Sequence, residues 1–230
     1  MQRLLAVARA IDRVNSAIGR WASWLIVASI FISAINAIVR KVFDLSSNAW
    51  LEVQWYLFGA SFMLCASWTL MRREHIRIDL LFALLPRRVR HWMELGGHLL
   101  FLMPFALLMI VLGWAVLGRS VVNGAEWNTV PHFFAQLSLV IARIVGDTAS
   151  LLTGGQARWE YSNSSGGLVL WPAYAFIVAG FLMLAAQGVS EIIKHIAVMR
   201  GLLPEPAGAG GHGAEPKLDA SKDPISGATA

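Results

Sequence analysis

Histidine is the residue type in this chain that could most readily carry chemistry, because two facing imidazoles in a bundle of membrane helices can ligate haem. The chain has six histidines, and only His98 lies inside a long apolar run. The other five, which lie at run ends, in loops or in the C-terminal tail, are His75, His91, His132, His195 and His212. These positions indicate no histidine partner at the depth of His98, so we expect a hydrogen bond between helices instead. We predict no cofactor, and a haem-binding anchor subunit of an oxidoreductase is kept as an alternative.

Other catalytic patterns are missing from the sequence. It contains no Ser/His/Asp arrangement, no phosphate-binding glycine loop and no HExxH helix. The single cysteine, Cys65, excludes an intramolecular disulfide and a cysteine metal cluster. A carrier of its own substrate should have ionisable residues in mid-membrane or paired broken apolar segments, and the sequence has neither. We therefore predict neither an enzyme nor a self-sufficient carrier, and no metal site.

The composition determines the class of fold. The chain has 230 residues, of which 57% are hydrophobic and only 14% charged, so the bilayer must solvate much of its surface. Four runs contain no acidic or basic side chain, namely 21–39, 53–71, 95–117 and 168–189. As a helix with a rise of about 1.5 Å per residue, each run crosses a hydrocarbon layer of about 30 Å. We predict an all-α membrane protein whose membrane domain, 21–200, has spans at about 21–39, 51–71, 93–118 and 168–191.

The distribution of basic residues predicts the orientation. The net charge is +5, and most of the arginines lie either before the first run or between the second and third. The positive-inside rule then gives cytoplasmic termini, a cytoplasmic central loop and two outward-facing loops. The same distribution makes membrane lipids the expected partners of these residues, and nucleic acid is not needed to explain them.

Three further segments flank or interrupt the spans. Residues 1–20 have apolar positions at intervals of three and four, which predicts an amphipathic helix on the cytoplasmic leaflet before the chain turns into the first span near Trp21. Pro104 is expected to kink the third span, because it removes one backbone hydrogen bond. Residues 201–230 are rich in Pro, Gly, Ala and Ser and are predicted to be a disordered cytoplasmic tail.

The outer insertion, about 121–167, is the most ambiguous part of the sequence. Within it, 133–152 is strongly apolar but carries Arg143 and Asp147, which are four apart and so share a helical face. We favour an extra amphipathic helix packed outside the membrane or at its surface. A fifth crossing is the alternative, but it would put the basic central loop and the basic tail on opposite sides.

Small and mildly polar residues form stripes along the first two spans. Ser29, Ser33 and Ala37 follow at intervals of four, as do Ser61, Cys65 and Thr69. Stripes of this kind allow helices to approach closely. They fit packing among these four helices and packing against another membrane protein equally well.

Two stretches carry a family resemblance. The first stretch, 48–81, has an acidic residue after a tryptophan, and its helix ends in a basic H-x-R-x-D segment. The matching residues are Trp50, Glu52, His75, Arg77 and Asp79, and Arg40 precedes the stretch. This stretch resembles the small membrane subunit of tripartite ATP-independent periplasmic (TRAP) transporters. The stretch 164–196 is similar to the fourth span of longer members, particularly the branch associated with mannitol or chloroaromatic compounds.

The resemblance implies a role without an active site. Such systems combine a soluble periplasmic binding protein, a large membrane subunit that carries substrate and sodium, and a small four-helix subunit. As that small subunit, the chain would lie in the bacterial inner membrane, brace the large permease subunit, help to dock the binding protein and so support organic-acid uptake. An unrelated membrane scaffold is a further alternative.

The candidate site residues come from the resemblance, from the small-residue stripes and from the basic central loop. Glu52 is expected to pair with Arg40 across the short loop, or to contact the binding protein. Ser29 and Ser33 are candidates for helix contacts. A cytoplasmic cluster would fix orientation and bind headgroups, or contact the large subunit, and consists of Arg72, Arg73, His75, Arg77 and Asp79. We expect Glu191 and Lys194 to pair locally. The outer insertion is longer than the resemblance predicts, which suggests an enlarged docking surface.

Overall fold

The computed structural model describes residues 2–44, 47–72, 86–122, 133–154, 156–157, 159–164 and 167–202. Their helices are α1 (Gln2–Phe43), α2 (Asn48–Arg72), α3 (Arg87–Gly96), π1 (Gly97–Leu102), α4 (Met103–Val121), α5 (Phe133–Leu152) and α6 (Trp171–Met199). Extended pairing in these ranges is limited to one bridge between Tyr161 and Val169. The chain is therefore an all-α protein, as predicted. The predicted disordered tail lies outside the described residues except for its first two positions.

Helix α1 is continuous from Gln2 to Phe43 and has 42 residues. The amphipathic N-terminal segment and the first apolar run thus share one axis, without the turn expected near Trp21. This helix packs closely on α2 next to Trp21: a Cβ added at Gly19 would lie 2.7 Å from Trp68 Cβ. At 1.5 Å per residue, α1 is about 63 Å long, roughly twice the hydrocarbon thickness.

The four long helical segments α1, α2, α3–α4 and α6 alternate in direction. α2 packs against α1 and α6, α4 packs against α6, and α1 also contacts α6. One end of the bundle contains Phe43, Asn48, Val121 and Trp171 and is called the Glu52 end below. The opposite end contains Arg72 and Met199 and is called the Lys194 end.

Small residues set the spacing between α2 and α6. A Cβ added at Gly180 would lie 2.7 Å from Met63 Cβ and 2.9 Å from Met63 O. Backbone of α2 therefore touches backbone of α6, which only glycine permits at that position. Next to this contact, Ala106, Phe181 and Ala185 form a buried cluster between α4 and α6.

Pro104 of the third long helix follows a helical segment whose turns are wider than those of an α-helix. Trp92–Val121 is one continuous apolar helix that contains the π-helical segment Gly97–Leu102. Met103 N donates to His98 O, five residues back. Because Pro104 has no N–H to donate to the carbonyl four residues earlier, a wider turn just before it accommodates the missing bond.

Among the described residues, four helices are long and apolar enough to cross a membrane: Gln2–Phe43, Trp92–Val121, Phe133–Leu152 and Trp171–Met199. This set confirms a membrane protein but differs from the predicted spans, because it contains α5 and lacks α2. Gln54, Tyr56 and several Ser and Trp residues lower the hydropathy of α2, although α2 lies between α1 and α6 in the bundle.

Candidate functional site

Glu52 joins the first turn of α2 to the segment that precedes α6. Its Oε1 accepts a hydrogen bond of 2.6 Å from Ser162 Oγ and a second from Ser164 Oγ, and its Oε2 accepts one of 2.6 Å from Leu168 N. These three donors satisfy both oxygens of a half-buried carboxyl group. These contacts hold Ser162, Ser164 and Leu168 beside the N-terminal part of α2.

The expected ion pair between Glu52 and Arg40 is not present among the described residues. Glu52 instead accepts hydrogen bonds from Ser162, Ser164 and Leu168, whose donors occupy both carboxylate oxygens. Arg40 is exposed near the end of α1 and lines an open cleft with Ser33, Asn36, Lys41 and Asp44. A basic side chain there is also stabilised by the C-terminal end of the helix dipole.

Segment 159–170 is also attached to α4. Glu160 N donates to Ser120 O at 3.1 Å, and Leu170 N donates to Glu160 O at 3.0 Å. Tyr161 and Val169 face each other in the antiparallel bridge. The described residues 159–164 and 167–170 therefore cover the Glu52 end, contact α2 and α4 and lead directly into α6.

Ser29 and Ser33 have different environments. Ser29 is buried and its Oγ donates to Gln54 O at 3.1 Å, which ties α1 to α2. Ser33 is half-buried and lines the outer face of the same helix pair. In the second stripe, Ser61 is fully buried and Cys65 Sγ lies 3.5 Å from Gly19 O. Ser29 and Cys65 of the small-residue stripes thus tie α1 to α2, and Ser33 remains accessible.

An apolar groove runs along the outside of the α1–α2 pair. It is lined by Ile26, Ile30 and Ser33 of α1 and by Gln54, Phe58 and Phe62 of α2. Phe58 and Phe62 are 59% and 65% exposed, so the described residues leave this face uncovered. We call it the α1–α2 groove.

Of the predicted cytoplasmic cluster, Arg72 alone lies among the described residues. Arg72 ends α2 with its Cζ 5.3 Å from the centroid of the Trp68 ring, a cation–π contact. Arg73, His75, Arg77 and Asp79 lie outside the described residues, so their grouping stays a prediction.

The Lys194 end contains a partly buried polar network that was not predicted from the sequence. Its two centres are Asp12 and Gln187. Lys194 Nζ lies 3.1 Å from Asp12 Oδ2, and Ser190 Oγ donates to Asp12 Oδ1 at 2.8 Å. Gln187 Nε2 donates to Asp12 Oδ1 at 2.9 Å, while Gln187 Oε1 accepts from Asn15 Nδ2 at 2.7 Å. The network ties the N-terminal part of α1 to the last turns of α6.

The network includes the predicted pair of Glu191 and Lys194, which is confirmed. Gln187 and Ser190 are fully buried, so their hydrogen bonds are needed to offset the loss of water. The sequence did contain a signal for this network. Residues 187, 190, 191 and 194 are spaced by three, one and three and so share one face of an otherwise apolar helix.

The structure corrects the expectation that His98 has no histidine neighbour. The rings of His98 and His195 lie 5.7 Å apart between centroids, and His195 is 3% exposed. His195 Nε2 is 3.2 Å from Glu94 Oε2, and His98 Nδ1 is 2.6 Å from Glu94 O. Sequence position could not reveal this, because the wide turn and the end of α6 bring the two rings together. Within the described ranges, no group of three or more His, Cys, Asp and Glu side chains could hold a metal ion.

These features define the class of protein: an all-helical membrane protein whose polar groups at both ends tie its own helices together. The family model of the DctQ component of tripartite ATP-independent periplasmic transporters matches residues 29–146, about half of the chain. The chain therefore belongs to this family and is a small permease subunit of a TRAP transporter. Neither a curated protein nor a solved structure matches it. The match begins in α1 and ends within α5, so it includes the first part of the outer insertion.

Proposed function

We propose that this chain scaffolds the large, sodium-coupled permease subunit and carries no substrate itself. Membership of the DctQ family is the observation that carries this proposal. The geometry supports it, because Glu52, Glu191 and Lys194 are bonded to the chain's own segments rather than aimed into a shared translocation path. Groups used in this way hold helices together, as a fixed scaffold requires.

The α1–α2 groove is the proposed contact surface for the large subunit. It is apolar along most of its length, and Ser33 and Gln54 add a few polar atoms near the Glu52 end. Membrane helices associate through such shape-matched surfaces with small residues, because lipid tails provide no hydrophobic drive between them. Arg40 and Lys41 at one end of the groove provide charge that can fix the register of the partner.

The Glu52 end is the proposed docking side for the periplasmic binding protein. On the orientation that the basic residues predict, this end faces the periplasm and both termini face the cytoplasm of a bacterial inner membrane. Residues 159–164 and 167–170, which bond α2 and α4, form part of that surface. We further propose organic-acid uptake and membership of the longer mannitol/chloroaromatic-like branch, both from the sequence resemblance.

The first experiment is affinity purification of the chain from its native membrane in mild detergent, followed by mass spectrometry. A near-equimolar large permease is the expected result, and recovery of the chain alone in several detergents would contradict the proposal. Ser33→Trp, which fills the groove, should abolish copurification. Its matched control is Leu108→Trp, at an exposed apolar position on α4 away from the groove. Loss with Leu108→Trp instead would move the interface to α4.

The haem alternative has one observation in its favour, the approach of His98 and His195 to 5.7 Å between ring centroids. Purified protein with a Soret absorption band that disappears in His195→Leu would support it. We favour the transport role because of the family membership.

A further inference from the structure

A buried histidine joins the start of the third long helix to the end of α6. His195 of α6 is 3% exposed, and its Nε2 lies 3.2 Å from Oε2 of Glu94 in α3, whose side chain is 9% exposed. The His98 ring lies 5.7 Å from the His195 ring between centroids, and His98 Nδ1 is 2.6 Å from Glu94 O. A scaffold requires no titratable group at this place, so the pair needs a separate explanation.

The backbone between α3 and α4 has the features of a hinge. Gly96 ends α3 and Gly97 begins the π-helical segment π1. A Cβ added at either glycine would meet nothing within 4 Å, so close packing does not require glycine there. Sharp bends in helices occur at pairs of small residues and at π-helical turns. The structure thus places a point at which the helix can bend two residues after Glu94.

Helix α3 turns toward the bundle only near this hinge. Among its described side chains, Val89, Trp92 and Met93 are exposed, whereas Glu94 and Leu95 are half-buried. The described contact of the Glu94 carboxylate is with the end of α6. The direction in which α3 leaves the bundle therefore depends on how firmly that carboxylate is held.

The titratable and charged groups around His195 come from the elements packed at the end of α6. Apart from the exposed arginines of α1 and the exposed Arg200, those described at this end are Asp12, Arg72, Glu94, His98, Glu191 and Lys194. Glu94 faces the His195 ring directly, whereas Arg72 lies over its own Trp68 ring. Lys194 is bound to both of the other carboxylates. A proton on His195 is therefore placed next to the negative charge of Glu94, and repulsion between two imidazolium rings at 5.7 Å opposes a second proton on the histidine pair.

We propose that His195 and Glu94 form a proton-dependent latch that holds α3 against the end of α6, and that α3 turns about Gly96 and Gly97 when the latch opens. With His195 protonated the contact is an ion pair, and charge-assisted hydrogen bonds are roughly twice as strong as neutral ones. Loss of the proton removes positive charge from beside a mostly buried carboxylate, which favours movement of Glu94 into water. The latch thus opens as the pH rises through the range in which histidine titrates.

The segment that the latch positions is strongly basic. Residues 72–90 contain six arginines, and α3 forms the last part of that segment. His195 lies one helical turn before Met199, where α6 ends and the side chain is 40% exposed. Water at the Lys194 end is therefore close enough to exchange protons with the latch.

Distances between spin labels on the full chain, in vesicles of phosphatidylethanolamine and phosphatidylglycerol, test the latch. Cys65→Ser provides the cysteine-free background, with one label on Val7→Cys in α1 and the other on Val89→Cys in α3; these side chains are 51% and 42% exposed. The reference pair combines Val7→Cys with Leu100→Cys, which lies beyond the hinge and is 69% exposed. Val89 is about 10 Å along the helix from Gly96, so a turn of about 20° moves it by about 4 Å.

We expect a narrow Val7–Val89 distance distribution at about pH 5.5. At about pH 8.5, on the other side of the ordinary histidine pKa of about 6.5, the distribution should broaden and shift by about 4 Å or more. The Val7–Leu100 distribution should stay the same. A Val7–Val89 distance that does not change with pH would overturn the proposal, as would an equal change in the Val7–Leu100 distance, which would indicate loosening of the whole bundle.

Three variants identify the titrating group. His195→Gln and Glu94→Gln each replace one partner with an uncharged amide that still forms hydrogen bonds, and each should abolish the response to pH. His98→Gln is the matched control and should retain the response, because it leaves both latch groups in place. A response that persists in His195→Gln, or that disappears in His98→Gln, would overturn the assignment of the latch.

The hinge is tested by the double variant Gly96→Ala with Gly97→Ala, whose added methyl groups enter open space. Alanine stiffens the helix, so the distribution at about pH 8.5 should become narrower than in the parent chain. An unchanged distribution would overturn the hinge. All of these measurements need only this chain, so the latch can fail while the scaffold function stands.

Discussion

The contact between α2 and α6 at Gly180 makes the sharpest quantitative prediction. In Gly180→Ala, the new Cβ would lie 2.7 Å from Met63 Cβ, 2.9 Å from Met63 O and 3.0 Å from Met63 C. Carbon atoms at their optimum are about 3.5–4.0 Å apart, so the two helices must separate by about 1 Å. Rotation of the Met63 side chain cannot relieve this, because two of the three atoms belong to its backbone. We expect an overpacking cost of about 1–3 kcal/mol.

Gly59→Ala is the matched control, because nothing lies within 4 Å of the Cβ position there. Both substitutions place alanine in a helix interior, which by itself favours folding by about 1 kcal/mol. This common contribution cancels in the difference between the two variants, which therefore reports the contact alone. At about 2–4 °C per kcal/mol for a chain of this size, Gly180→Ala should melt roughly 2–12 °C below Gly59→Ala.

The assay is thermal unfolding of the purified chain in detergent. Far-ultraviolet circular dichroism monitors the loss of helix, at constant protein and detergent concentration. Gly59→Ala should melt at or above the temperature of the unmodified chain. Equal melting temperatures for the two variants would refute the close approach of α2 and α6 at Met63.

Two further predictions concern the polar contacts at the two ends. Ser162→Ala removes one donor from the Glu52 carboxylate and should lower the melting temperature of the chain, with faster proteolysis between Trp159 and Leu170. Lys194→Met leaves Asp12 and Glu191 without their shared cation; because Lys194 and Asp12 are each 25% exposed, we expect a loss of about 1–3 kcal/mol rather than the full cost of a buried charge.

Each of these two variants has its own control. Ser138→Ala removes a hydroxyl that bonds only within α5, and it should leave the melting temperature and the proteolysis pattern nearly unchanged. Lys41→Met removes an exposed lysine and should have little effect on stability. Adding Asp12→Asn to Lys194→Met should recover part of the lost stability. A double variant less stable than Lys194→Met alone would contradict the assigned ion pair.

Apolar composition and periodicity predicted the class of fold, because a chain that is 57% hydrophobic with long uncharged runs must form membrane helices. The local pair of Glu191 and Lys194 was also predictable, since three-residue spacing on a helix fixes the distance between side chains. The family could be recognised from Trp50 and Glu52 in 48–81 and agrees with the match over 29–146.

Tertiary structure decided which residues meet across long intervals of sequence. Glu52 bonds Ser162, Ser164 and Leu168 rather than Arg40, and His195 lies beside His98, although spacing along the chain indicates neither contact. Asp12 and Gln187 join because a continuous α1 runs alongside the end of α6. The sequence by itself determines local periodicity and the preference of each segment for lipid or water. Contacts between distant segments depend on how helices pack against one another, and here only the folded chain specifies that packing.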